Sequence, residues 1–207
     1  MNYKKIPTRC LTGKSWMIDT HVIDRPEFED LFQMYQLGWV YLQTPDTVFN
    51  ELKTRKDARH RDELLTARQA FPMPMGPFVI GRSSLGYAVL GSDADQKQLE
   101  KIHSVLWNGR IFSEDCQKAD EGNGAAESKV GDTMIIQTTM RYAKEALITN
   151  DREILEGVSR IRQHVGNFQA WSVKDATLIA FDACKRIRIV REAQPDRVWD
   201  EDLPNWP

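Results

Sequence analysis

Residues 146–151 read ALITND, a short apolar run that passes directly into polar side chains. Such runs are typical of buried strands in a parallel sheet, where helices cover both faces. Residues 15–20, SWMIDT, repeat the pattern near the N-terminus. The sequence therefore predicts two buried parallel strands, one ending on Asp19 and the other leading into Asn150 and Asp151.

The segments around these two strands carry mostly helical patterns. Apolar residues recur at three- and four-residue spacing, as on one face of a helix, and glycines or capping residues mark several of the ends. Helices are predicted over 26–38, 96–107, 132–144, 154–166 and 172–185, and further strands over 39–42 and 187–190. The alternation of strands and helices predicts an α/β protein with a mainly parallel sheet.

Other segments are predicted to be less regular. Prolines interrupt residues 71–77, and residues 120–131 are rich in Gly, Ala, Glu and Asn, so both are predicted to be loops. Residues 78–80 and 87–90 are short apolar runs separated by a turn, which favours a small hairpin. The acidic stretch 195–207 contains three prolines and is predicted to be an irregular tail.

Composition limits the class of protein. The 207 residues suffice for one domain with a core, and 41% hydrophobic with 28% charged residues is ordinary globular composition. With 28 basic against 30 acidic residues, bulk charge cannot hold nucleic acid, so any polyanion must meet a local patch. The three cysteines fit free thiols in a reducing compartment. With no membrane-length apolar run and no signal core, a cytoplasmic protein is expected.

Carboxylates carry the functional prediction. The carboxyl ends of parallel strands share one edge of the sheet, so Asp19 and Asp151 are expected to face one crevice. Asp132, predicted to start a helix, and Glu51, predicted on another, would add two acids, with Asp115 and Asp120 as alternatives for the third position. Crowded carboxylates favour hard divalent cations, Mg²⁺ or Mn²⁺. Metal-activated water at such a site suits phosphodiester hydrolysis, the chemistry of a nuclease.

Four pieces of the sequence resemble the PIN-domain ribonucleases, in the family's order. The pieces are MIDTHV (17–22), VFNEL (48–52), GDTMII (131–136) and LITNDR (147–152). The last is the most specific. His21 departs from the family's common pattern, which has an amide there, and residues 53–115 form a longer span than the compact toxin members carry. The chain thus resembles a toxin-type or a longer solitary member.

The resemblance implies a single domain over 1–207 with a three-layer α/β/α, PIN-like fold, an extended insertion at about 53–115 and an irregular tail. It implies a metal-dependent endoribonuclease that cuts single-stranded RNA. Asp19, Glu51, Asp132 and Asp151 would be catalytic residues and ligands for Mg²⁺ or Mn²⁺. Thr149 would position metal-bound water or phosphate, with Thr20 and Asn150 in support. A toxin-type member would have a small antitoxin-like partner, and a homodimer is a further expectation; no membrane partner is expected.

Some interpretations of the sequence stay open. Lys53, Arg55 and Lys56 follow Glu51 and fit a basic rim for RNA, but they fit an exposed charged helix equally well. A PIN-like module that binds RNA or protein without turnover is one alternative function. A phosphohydrolase of small phosphate esters is another, although its aspartyl-phosphate type usually needs an Asp-x-Asp pair, and His21 stands at the second position.

Overall fold

A parallel sheet forms the centre of the computed structural model, which describes residues 10–23, 25–48, 62, 65–66, 69–79, 88–142, 144–198 and 203. The strands are β1 (Ser15–Ile18), β2 (Tyr41–Gln43), β3 (Gly76–Pro77), β4 (Ala88–Val89), β5 (Ala146–Ile148) and β6 (Ala170–Trp171). The α-helices are α1 (Glu29–Gln36), α2 (Asp93–Leu106), α3 (Phe112–Asp120), α4 (Gly124–Arg141), α5 (Arg152–His164) and α6 (Val173–Glu192). Short 3₁₀ turns cover Thr20–Val22 and Pro26–Phe28, and the chain is again helical at 46–48.

The main sheet has the strand order β2-β1-β5-β6, and all three pairings are parallel. Crossovers between parallel strands are right-handed. Because the chain moves one way from β1 to β2 and the other way from β5 to β6, α1 and α5 cover opposite faces of the sheet. Helix α6 packs against α1, whereas α2 packs against α4 and α5. The α/β fold with helices on both faces of a parallel sheet is as the sequence predicts.

The predicted strands at 15–20, 39–42 and 146–149 are confirmed, but the predicted last strand is wrong. Residues 187–190 belong to α6, which begins where the Ser172 side chain accepts a hydrogen bond from the Asp175 N–H and runs unbroken to Glu192. An apolar run of four fits one side of a helix as well as a strand. The outer strand is instead β6, whose two residues give almost no sequence signal.

Three further predictions are corrected, and the first is the loop at 71–77, whose last two residues form β3. Residues 124–131 are helical, because Asn123 caps α4 by accepting from the Ala126 N–H and good helix formers follow. Asp132 therefore lies within α4 rather than at its start. The predicted hairpin is wrong as well, since β3 and β4 pair in parallel. Gly76 of β3 donates to Asp46 Oδ1, and a Cβ at residue 76 would lie only 2.3 Å from that oxygen.

A buried polar network joins α2, α3 and α4. His103 Nε2 donates to Asp115 Oδ2 at 3.0 Å, and its Nδ1 lies 2.9 Å from Thr133 Oγ1. Arg110 donates to both oxygens of Asp115 and lowers the pKa of that carboxyl to about 2. Burial lowers the pKa of His103, although Asp115 opposes the shift. The network holds α4 in place through Thr133, the neighbour of Asp132.

Within the ranges given above, no helix is both long enough and apolar enough to cross a membrane.

We expect His103 to make folding stability depend on pH. The pKa of His103 is lower in the folded state than its ordinary value of 6.5. The neutral side chain therefore contributes fully to the free energy of unfolding above pH 6.5, and this contribution is lost as the pH falls below 6.5. The free energy of unfolding is measured in urea at several pH values between about pH 7 and pH 5. In a His103→Gln variant, the change of this free energy with pH should be smaller than in the wild type by up to about 1.4 kcal/mol per pH unit. His164→Gln, an exposed histidine, is the control. Equal slopes in the wild type and both variants would contradict the prediction.

Candidate functional site

The candidate site lies at the carboxyl ends of β1 and β5, where the direction in which successive strands are added to the sheet reverses. From β1 the chain builds outward to β2, then returns to place β5 on the other side of β1. In open α/β sheets, ligands bind outside the carboxyl ends of the two strands at this switch point. Asp19 directly follows β1, and Thr149 directly follows β5. The register pairs Ile18 with Ile148, so these two polar residues leave the sheet side by side.

Asp19 is fully buried and its carboxylate is held by two donors. The Thr20 N–H donates to Oδ1 at 2.6 Å, and the Thr149 hydroxyl donates to Oδ2 at 2.7 Å. The Asp19 N–H donates to the Ile148 carbonyl at 3.0 Å, which extends the β1–β5 pairing into the site. Together these bonds fix the position and the orientation of the carboxylate.

Thr149 links Asp19 to Asp151. Its oxygen accepts from the Asp151 N–H at 2.9 Å while its proton is donated to Asp19. The Asp151 side chain in turn accepts from the Ile154 N–H at 3.0 Å and caps α5. One threonine thus connects the Asp19 carboxylate to the backbone of Asp151, 132 residues further along the chain.

The two supporting residues act mainly through local structure. Asn150 Oδ1 accepts from the Val173 N–H at 3.2 Å, which ties the loop after β5 to the start of α6. Thr20 is buried, and its N–H orients Asp19 as described. Both therefore brace the loops that carry the acids.

Asp132 lies on a helix, and the path of that helix sets its level relative to the strands. The connection of α4 to β5 is short, so α4 runs antiparallel to the strand. Along the helix axis, Asp132 lies about 13 Å from Arg141, where α4 ends. Along the strand, Thr149 lies about 10 Å from Ala146, where β5 begins. Asp132 and Thr149 are therefore expected at a similar height relative to the sheet. Ile135 and Ile136, one turn further along, pack in the core of the sheet. Asp132 is 4% exposed and lies in a stretch of α4, residues 130–139, that is buried all round.

The alternatives for the third acid are less suited to a metal site. Asp115 is buried in the network with Arg110 and His103, where its oxygens already accept three hydrogen bonds. Asp120 is exposed at the end of α3. Among the residues that the structure describes, the predicted acids Asp19, Asp132 and Asp151 do not form one group of metal ligands. Glu51 and the predicted basic rim, Lys53, Arg55 and Lys56, lie outside the described residues.

His21 contacts Asp19, a contact that was not predicted, because a single histidine after a strand more often makes a structural hydrogen bond. Its Nδ1 lies 3.5 Å from Asp19 Oδ2, and its side chain is 48% exposed. His21 therefore contacts the buried carboxylate from the solvent side. The 3₁₀ turn directly after β1 brings it there, and only its spacing of two residues from Asp19 hints at this contact.

The donor set suits a small hard cation. Mg²⁺ is commonly bound by one or two carboxylates, with water and substrate phosphate completing its shell, and Mn²⁺ also takes oxygen ligands. Asp19 and Asp151 supply carboxylates, and Thr149 supplies a hydroxyl at the same edge. Within the described part of the chain, no group of three or more acidic, histidine or cysteine side chains is arranged to hold a metal ion. A site built on two carboxylates and completed by solvent fits this arrangement.

We expect Thr149→Val to destabilise the protein by about 2–3 kcal/mol in urea unfolding with EDTA present, because a buried carboxylate loses a donor. Thr149→Ser keeps the hydroxyl and should recover most of this loss. Thr139→Val is the matched control: this buried threonine donates only to the Ile135 carbonyl of its own helix. Equal effects at 149 and 139 would show that the bond to Asp19 contributes little.

No protein-family model matches the sequence, and a comparison with curated proteins also finds no match.

Proposed function

We propose that this protein is a divalent-metal-dependent endoribonuclease with a PIN-like fold that hydrolyses single-stranded RNA. The observation that carries the proposal is the pair of acids at the switch point of the sheet. Asp19 and Asp151 come from neighbouring strands and are linked through the Thr149 hydroxyl. Acids at this place in a parallel sheet are positioned for a ligand.

Each acid has a distinct role in the proposal. Asp19 and Asp151 would hold the metal ion, and Asp132 on α4 would act on it through water. Glu51 would complete the set in the PIN-like arrangement. Thr149 orients Asp19, and in the PIN-like arrangement it would also position water or a phosphate oxygen. When bound, the cation would lower the pKa of a water molecule and stabilise charge on the phosphoryl group.

The preference for RNA rests on the resemblance of four motifs to the PIN-domain ribonucleases. The charge of the chain bears on how tightly RNA would bind. A protein with net charge -2 has no bulk attraction for polyanions, so we expect RNA affinity to be modest and to fall with salt. Single strands expose base edges and faces to loops, which allows recognition that does not rely on charge.

Cleavage should depend on Asp19 and Asp132. With an unstructured, end-labelled RNA and Mn²⁺ or Mg²⁺, Asp19→Asn and Asp132→Asn should each lower the cleavage rate at least about 100-fold, because the first removes a proposed ligand of the ion and the second removes the carboxylate proposed to act on its bound water. EDTA should abolish cleavage by the parent protein.

Asp182→Asn is the control, because Asp182 is an exposed acid on α6. Cleavage that persists in EDTA, or equally in Asp19→Asn and Asp182→Asn, would mean a contaminating nuclease. A folded protein that cuts no RNA under any metal condition would overturn the proposal in favour of a binding module.

Asp151 allows its capping role to be separated from its catalytic one. Asparagine caps a helix about as well as aspartate, so Asp151→Asn should keep the hydrogen bond to Ile154 and lose only the charge. Asp151→Ala should cost about 1 kcal/mol more in unfolding free energy. Both variants should lose cleavage in the same assay. Activity retained in Asp151→Asn but lost in Asp151→Ala would assign Asp151 to helix capping alone.

A further inference from the structure

A cavity of about 450 Å³ opens between the end of α2, the first half of α4 and one side of α5. Trp107 forms part of its wall, and its indole N–H donates to Thr133 Oγ1 at 3.3 Å. The remaining lining is mostly charged: Arg110, Lys129, Glu153, Glu156 and Arg160. Its volume lies in the usual range of ligand pockets, and its charged lining suits a polar ligand rather than an apolar one.

Two cations in this cavity are held in place without an acidic partner. Lys129 Nζ lies 4.8 Å from the centre of the Trp107 ring. Arg160 donates to Asn108 Oδ1 at 2.8 Å and to the Leu106 carbonyl at 3.4 Å. Among the described residues, no carboxylate forms an ion pair with either side chain. Cations that are already ordered lose little conformational entropy when an anion binds.

The other charges of the cavity are largely balanced. Arg110 is paired with Asp115, and Glu156 is paired with Arg152 at 2.6 Å. Glu153 is exposed and adds one negative charge. The local balance therefore leaves Lys129 and Arg160 as the groups able to attract an anion, with Glu153 opposing them.

The cavity adjoins the proposed metal ligands. Lys129 lies one helical turn before Asp132 on α4, and residues three apart are neighbours on a helix surface. Glu153 lies two residues after Asp151, in the first turn of α5. The cavity and the proposed metal ligands therefore share α4 and α5, and we expect an RNA strand bound at the carboxylates to pass close to Lys129.

We propose that this cavity binds the RNA strand beside the scissile bond, with Lys129 and Arg160 contacting a neighbouring phosphate. The inference rests on the proposed function, and it supplies the local basic patch that an acidic protein needs to hold a polyanion. Arginine and lysine are the side chains that bind backbone phosphates, independently of base sequence.

The test measures binding rather than cleavage. A fluorescent, unstructured RNA oligonucleotide is titrated with the full-length protein in EDTA at about 50 mM salt, and the titration is repeated at higher salt. The double variant Lys129→Gln/Arg160→Gln should bind at least about tenfold more weakly, and its salt slope should be smaller by about 1.4, the value for two lost contacts to a single strand. The control Arg162→Gln/Lys185→Gln removes two exposed cations that do not line the cavity.

A second variant should gain affinity, which misfolding cannot imitate. Glu153→Gln removes the opposing charge and should tighten RNA binding several-fold, whereas Glu192→Gln, an exposed acid at the end of α6, should not. Equal weakening by both cation pairs would overturn the inference, as would Glu153→Gln binding RNA no tighter than Glu192→Gln. A parent protein that binds no RNA up to about 100 µM would also overturn it.

The outcomes for the cavity and for the proposed function are separable. Cleavage that depends on Asp19, together with unchanged binding in Lys129→Gln/Arg160→Gln, would leave the nuclease and remove the cavity from its substrate path. Weakened binding in that variant, with no cleavage by the parent protein, would keep the cavity as an RNA site and remove the nuclease.

Discussion

The hydrogen bond from Thr149 to the buried carboxylate of Asp19 is the interaction on which the proposed site depends. It exists because β1 and β5 are adjacent, parallel and in a register that pairs Ile18 with Ile148. A shift of one residue would turn Thr149 toward the opposite face of the sheet and leave a buried carboxylate without this donor. The apolar side chains that fix the register, which are fully buried, thereby also fix the geometry of the acids.

The strands that carry the site could be predicted, because a parallel strand covered on both faces needs a continuous apolar run. The same rule failed at 187–190, where four apolar residues lie along α6. It also missed β6, whose position is set by pairing with β5 rather than by its own two residues. Local signals misplaced the start of α4 as well: Asp132 resembles a cap, but Asn123 upstream makes the capping bond. The outer strand was decided by tertiary pairing, whereas the start of α4 was decided by a local cap further upstream.

Some parts of the site could be predicted from the sequence, and others could not. Topology alone brings the residues after β1 and β5 to one edge, so Asp19 and Asp151 could be predicted as neighbours without knowing any side-chain contact. The cavity could not be predicted, since Trp107, Lys129 and Arg160 come from three elements and share no local motif. The buried pair of His103 and Asp115 gave no signal either, because nothing in the sequence distinguishes it from exposed polar residues of a helix.

The His103 network connects the predicted insertion to the proposed chemistry. Thr133 lies beside Asp132, accepts from the Trp107 indole and contacts His103. The helix that carries Asp132 and Lys129 is therefore braced by α2, which lies within the predicted insertion at about 53–115, and by α3, which begins at its end. A span that is longer than the compact family pattern thus supports the position of one proposed metal ligand and supplies one wall of the cavity. If the cavity guides RNA, this part of the chain, rather than the sheet, determines how the strand approaches the carboxylates.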